Sequence, residues 1–290
     1  MNYRNISLGA AQFGSKYGVT NKTKLSFDQI RKILNIAYKS KITNIDSAYN
    51  YGNAEFNLGK IGMKKWKVSS KFPKIPQNCD PETWISNCVT KSLDRLKINQ
   101  LETLFIHDTD NVKNFSYYKK IFDSMDLLKK RGFIKKIGIS IYSPFIVYKL
   151  ASDFKIDVIQ SPANIFDDRI FDKKIQRIIK NNNIELEIRS IFLQGLLLEK
   201  PENIPKKFKK FYPFFKKIDD ISKNNNFSKI SVALSILKKY EYKKIIIGVN
   251  SSNQLIEIIN NLKINNIKIP KFNIKNKKYL INPFLWNQKK

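Results

Sequence analysis

The chain has 290 residues, of which 42% are hydrophobic, and a formal charge of +30. This composition excludes a disordered chain and suits a buried core of domain size, and no uncharged apolar run approaches the ~18 residues of a membrane span. The charge does not single out nucleic acid: only seven of the 54 basic residues are arginine, the usual bidentate reader of phosphate and guanine, and lysine pairs are spread over the whole chain with abundant isoleucine and asparagine.

The N-terminus, MNYRNISLGAAQFG, lacks the apolar stretch of a secretory signal. NISLGAAQF is predicted as the first strand. DQIRKILNIAYKS is a helix that starts at Ser26 or Asp28 and collects Ile30, Ile33, Leu34 and Ala37 on one face. ITNIDS and WKVSSK are the second and third strands. Cys79 and Cys88 follow, nine apart with no histidine near them; they form neither a disulfide framework nor a metal spacing and point to a reducing cytoplasm. The helix ETWISNCVTKSLDRL starts at Asp80 before Pro81 and gathers Ile85, Cys88, Val89, Ser92 and Leu96. LETLFIH, IKKIGIS, IDVIQS and IELEIRS are strands four to seven. Asparagine runs at 181–183 and 224–226 suit helix ends. Residues 196–226 are too many for a minimal strand–helix loop and are expected to add a helix and loop near the mouth of the fold. SKISVALSILKKY is a helix with Ile230, Ala233, Leu234 and Leu237 inward; KKIIIGV is the eighth strand, and a helix starts at Ser252.

Eight strands alternating with helices predict a closed (β/α)8 TIM barrel in a single domain over 1–290, with the barrel at about 6–262 and an irregular aromatic tail, 263–290, packed near it. The competing open sheet would carry a G-x-G-x-x-G turn after its first strand if it bound a dinucleotide; GAAQFGSKYG does not fit.

In such a barrel the reactive groups stand at the C-terminal ends of the strands. Those ends hold Asp46, with Tyr51 in the loop beyond, then Lys71, His107, Ser140, Gln160, Arg189, Ser190 and Gly248. Singly, each has an ordinary structural reading: a packed tyrosine, an ion pair, a core imidazole. Together an acid, a phenol, an amine and the chain's one histidine converge on one mouth.

ITNIDSAYNYGNAEFNLGK resembles the first signature of the aldo-keto reductase family. KVSSKF resembles the strand of its catalytic lysine and LFIHDTD that of its histidine. IGISIYSP, VIQSPANIFD, RSIFLQGLL and IIIGVNSSNQL are similar to later family blocks in the same order. The resemblance implies a nicotinamide-dependent carbonyl reductase. Tyr51 would be the general acid, Lys71 the ammonium that lowers the phenol's pKa, Asp46 the partner that holds Lys71, and His107 the hydrogen bond to the carbonyl oxygen. Ser140 and Gln160 are carried over as contacts to the nicotinamide carboxamide.

Three positions depart from the pattern. Ile141 stands where many members have asparagine. Arg189, beside Ser190, replaces an aromatic residue that stacks on the nicotinamide; its planar guanidinium can stack in its place or reach the pyrophosphate or substrate. Gly248 and Gln254 replace a basic pair that clamps the 2′-phosphate, leaving Asn250, Ser251 and Ser252 at a helix N-terminus, either as phosphate ligands or as a plain N-cap. NADPH is the cofactor expected from the family, with NADH as the alternative. The substrate is expected to be an aldehyde, ketone or sugar, phosphorylated or nucleotide-linked sugars included, in a pocket walled by Phe13, Tyr17, Tyr49, Trp84 or the tail. A basic mouth favours an anionic one. The competing readings are a non-catalytic nicotinamide-binding barrel acting as a sensor or partner subunit, and a polyanion binder resting on net charge alone.

Overall fold

A computed structural model describes residues 5–19, 24–109, 115–262, 267–274 and 277–287. Eight short strands are β1 (Ile6–Gly9), β2 (Asn44–Asp46), β3 (Lys67–Phe72), β4 (Leu101–Ile106), β5 (Ile134–Ser140), β6 (Val158–Pro162), β7 (Glu185–Arg189) and β8 (Lys244–Gly248). All neighbouring pairs are parallel, and β1 pairs with β8, so the sheet closes into a barrel in chain order. Parallel closure needs a crossover after each strand, and amphipathic helices supply it. The helices are α1 (Ala11–Gly14), α2 (Phe27–Lys39), α3 (Ala54–Ile61), α4 (Pro81–Leu96), α5 (Phe115–Lys130), α6 (Ile146–Asp153), α7 (Lys173–Asn181), α8 (Tyr212–Asn224), α9 (Lys229–Leu234), α10 (Ser252–Asn261) and α11 (Lys278–Ile281). Among the described residues no helix is long and apolar enough to cross a membrane.

The α2 helix illustrates how local sequence and packing agree. Ser26 and Gln29 form a capping box, which satisfies two otherwise orphaned N–H groups and contributes about 1 kcal/mol. Ile30, Ile33, Leu34 and Ala37 are buried, as the spacing predicts; each large side chain removed from water stabilises by roughly 1.5–3 kcal/mol. In α4, Asp80 caps Thr83, and all five predicted face residues are buried.

Three elements differ from expectation. The first strand stops at Gly9, and Ala11–Gly14 turns helical, which brings Gly14 against the loop of Tyr51. SKISVALSILKKY breaks after Leu234 into a 3-10 turn, where the Ser235 hydroxyl donates to the Val232 carbonyl and so competes with regular helix geometry. The last barrel helix is capped by Ser251, which accepts from the Gln254 amide at 3.1 Å, and not by Ser252.

Residues 193–211 form three 3-10 segments that lead into α8, and Leu198 and Glu199 reach the barrel mouth. In the tail, Phe272 packs edge-on against Phe166 at 5.1 Å and Trp286 against Phe208 at 5.0 Å.

Candidate active site

The C-terminal ends of the strands surround a cavity of about 240 Å³. Asp46, Tyr51, Lys71 and His107 all line it, although 61 positions separate the first from the last. Lys71 is fully buried. Its Nζ donates to Asp46 Oδ2 at 2.6 Å and to the Ser47 carbonyl at 2.8 Å. The same Nζ lies 5.4 Å from the Tyr51 ring centre. The Tyr51 and His107 rings meet edge to face, with centroids 5.9 Å apart.

Two glycines set the position of Tyr51. A Cβ on Gly14 would fall 1.7 Å from the Tyr51 carbonyl oxygen, so only glycine permits this approach. Gly52, next to Tyr51, has φ +55° and packs back on Gly14. The Asn53 amide and the Asn57 side chain add hydrogen bonds to the carbonyls of Gly14 and Phe13. Behind the loop, buried Glu55 accepts from Ser70 at 2.6 Å and Ser92 at 3.1 Å and faces Arg95, which anchors the start of α3.

The electrostatics follow from burial. Burial, and then the Asp46 carboxylate, push the Tyr51 phenol well above its ordinary range, with Arg189 opposing them. Loss of hydration sets the direction of this shift, and the phenol keeps its proton at neutral pH. Burial also lowers the proton affinity of Lys71, while Asp46 raises it. The half-buried His107 imidazole is pushed down to about 3 by burial and then by Lys71 and Arg189, so it is neutral. The unfolded chain takes up this proton near ~6.5. Stability therefore falls as pH drops from there towards about 3. As the chain has one histidine, NMR reads it without ambiguity: its ring resonances are expected to stay flat through neutral pH, and a midpoint at the ordinary value of about 6.5 would contradict this environment.

The remaining predicted residues divide. Ser140, Gln160, Arg189, Ser190, Gly248, Asn250 and Gln254 line the cavity; Ser251 and Ser252 do not and serve as the cap and first turn of α10. Gln160 is already committed, since its Nε2 donates to Asp46 at 2.8 Å and to Glu187 at 3.3 Å. Arg189 lies 4.2 Å over the Tyr142 ring and donates to the Ile141 carbonyl at 3.0 Å. The Gln254 side chain accepts from the Asn250 amide at 2.7 Å.

Of the four aromatic wall candidates only Tyr17 lines the cavity. Phe13 is in the core, Tyr49 lies under Arg95, and Trp84 packs on the core from α4. Sequence reading missed Gln12, Tyr142 and Gln194. Gln12 fills the space left by Gly248, where a Cβ would come within 2.5 Å of its amide. Tyr142 stands two residues past a strand end, a position that the strand-end reading skips. Gln194, which donates to the Tyr17 hydroxyl at 3.2 Å, sits in a turn with left-handed residues at Ser190, Leu193, Gln194 and Gly195.

The cavity has groups ready for a polar ligand. Asn250 Oδ1 and Arg189 Nε are buried and lack partners, a costly state unless a ligand supplies them. The N-terminus of α10 opens beside Asn250 and favours an anion.

A family model for the aldo/keto reductase family matches residues 5–279. No curated protein matches in sequence. Among solved structures, the chain is similar to the aldo-keto reductase AKR11C1 from Bacillus halodurans in its holo form, at 17% identity and a TM-score of 0.73 over 91% of this chain and 88% of that one. It is also similar to PA4992, a putative aldo-keto reductase from Pseudomonas aeruginosa, at 15% identity and a TM-score of 0.65 over 89% of each chain. At these identities the likeness is one of fold. The family match, however, spans nearly the whole chain and every strand of the barrel, and the chain belongs to the aldo/keto reductase family.

Proposed function

We propose that the protein is an NAD(P)H-dependent reductase of small carbonyl compounds, with Tyr51 as the general acid. The observation that carries this reading is the meeting of the Lys71–Asp46 pair, the Tyr51 phenol and the His107 ring around one cavity. A bound reduced nicotinamide supplies the hydride for the carbonyl carbon. The chain does the rest. His107, neutral, holds the carbonyl oxygen by a hydrogen bond. Tyr51 gives that oxygen its proton, and Lys71 offsets the negative charge left on the phenol. Asp46 keeps the ammonium in place in a site where burial works against its charge.

The cofactor contacts follow the same logic. Ser140 and Gln160 would hold the carboxamide, Gln160 through its oxygen. Arg189 offers its open Nε beside Ser190. The N-terminus of α10 would receive a phosphate beside Asn250 and Gln254, which line the cavity, with Ser251 and Ser252 contributing as its cap and first turn. Gly248 keeps the floor between them low, with Gln12 packed beneath it. Lys71 and Arg189 are set against the carboxylates of Asp46 and Glu199, so the lining itself is balanced, and the strongly basic chain around it is what draws a substrate carrying a carboxylate or phosphate.

The test is a fluorescence titration with NADPH and NADH, followed by turnover of an aldehyde and sugar panel. Saturable binding of a reduced nucleotide and its oxidation on adding a carbonyl compound are expected, with anionic members fastest. Binding without turnover of any carbonyl would remove the reductase reading and leave a nicotinamide-binding barrel.

A further inference from the structure

Below the cavity, the barrel interior holds a second charge pair that the chemistry above does not use. Glu187 on β7 and Lys244 on β8 are buried, and Lys244 Nζ donates to Glu187 Oε1 at 3.1 Å. They stand at one level of the sheet with Gln160, since Gln160 is in register with Glu187 and Glu187 with Lys244. The other Glu187 oxygen accepts from Gln160 Nε2 at 3.3 Å, and that nitrogen also donates to Asp46 at 2.8 Å. A line of contacts therefore runs Lys244–Glu187–Gln160–Asp46–Lys71 from one wall of the barrel to the other.

A buried ion pair adds little to stability beyond what apolar residues of the same size would give, so its place in this line matters more than its presence. Two carboxylates converge on one amide nitrogen. With the amide reversed, its oxygen would face both of them, so the nitrogen is held down and Oε1 is left for Ser140 and the cavity. We propose that Glu187, anchored by Lys244, is a positioning residue of the reduction site: it fixes which end of the Gln160 amide faces the nicotinamide and holds Asp46 in place under Lys71. This rests on the reductase reading above.

The charges around Lys71 agree with the assignment. Asp46 on β2 and Glu187 on β7 favour its ammonium form, while Arg189 on β7 opposes it; the imidazole of His107, beyond β4, is neutral. Removing Glu187 therefore makes Lys71 lose its proton at lower pH.

The test is the paired variant Glu187→Leu with Lys244→Leu, which leaves neither charge unpaired. It is expected to fold, because the pair is replaced by apolar residues of similar volume. Affinity for reduced nicotinamide dinucleotide should fall about tenfold, the effect of losing one well-placed hydrogen bond. Affinity for an adenosine bisphosphate fragment, which has no nicotinamide, should not change. The alkaline limb of kcat should move to lower pH. If both affinities and the pH profile match those of the unaltered protein, Glu187 is packing alone and the proposal is wrong. Glu187→Met with Lys244→Met, whose flexible chains fill an irregular space more easily, carries the same comparison should the leucine pair not fold. An unaltered protein that neither binds reduced nucleotide nor reduces a carbonyl overturns the reductase reading and this proposal together; one that does both, with unaffected variants, overturns the proposal alone.

Discussion

Tyr51→Phe is expected to lower turnover about a thousandfold while leaving cofactor affinity nearly unchanged. General acid catalysis contributes ~10²–10⁴ in rate, and in the proposed mechanism the Tyr51 hydroxyl gives the proton to a carbonyl oxygen held by His107. The ring would remain: its edge-on packing against His107 and its place beside Lys71 depend on the aromatic body. The loop would also remain, because Gly14, Gly52 and the Asn53 and Asn57 hydrogen bonds hold its backbone. The measurement is turnover with saturating cofactor beside a fluorescence titration. A variant with full activity would remove Tyr51 from the role of acid. Since burial and Asp46 raise the phenol's proton affinity, the proton is in place at neutral pH, and no alkaline loss of activity is expected from Tyr51 itself in the ordinary range of about 10.

Lys71→Met should damage both folding and catalysis, and a second substitution separates the two. Lys71 and Asp46 are a fully buried pair at 2.6 Å. Removing the ammonium alone leaves a buried carboxylate that, among the described residues, keeps the Gln160 hydrogen bond, at a cost of about 3–5 kcal/mol. Adding Asp46→Asn removes the stranded charge, so the double variant should recover most of the lost thermal stability. It should not recover activity, because the ammonium beside the Tyr51 ring is gone and Arg189 alone then acts on the developing phenolate; a loss of ~10²–10³ in kcat is expected from one missing electrostatic contact of this kind. Thermal unfolding and steady-state kinetics on both variants decide it. Recovery of activity along with stability would make Lys71 a structural residue.

Much of this was legible in the sequence because barrels impose a period. Eight apolar runs alternate with helical spacing, and the strand ends name Asp46, Lys71 and His107 without any coordinates. Tyr51 was reachable because it lies in the loop just past such an end. Properties that depend on neighbours across the barrel were not legible. The direction of the Tyr51 shift depends on how much water the closed fold removes. The role of Glu187 was hidden in IELEIRS, where a charge in the middle of a strand looks like an ordinary polar position until β6 and β8 place Gln160 and Lys244 beside it. The pocket wall was misread for the same reason: Phe13, Tyr49 and Trp84 are close to the motif in sequence, but their rings turn away from the cavity into the packing around the barrel.

The approach of Gly14 to the Tyr51 carbonyl ties the first turn of the chain to its chemistry. The place of Tyr51 is set by a backbone-on-backbone fit, with no long side chain between that could flex. Tyr51 therefore stands on a fixed footing, and any adjustment to ligands of different shape has to come from other parts of the lining, such as the contact between Tyr17 and Gln194.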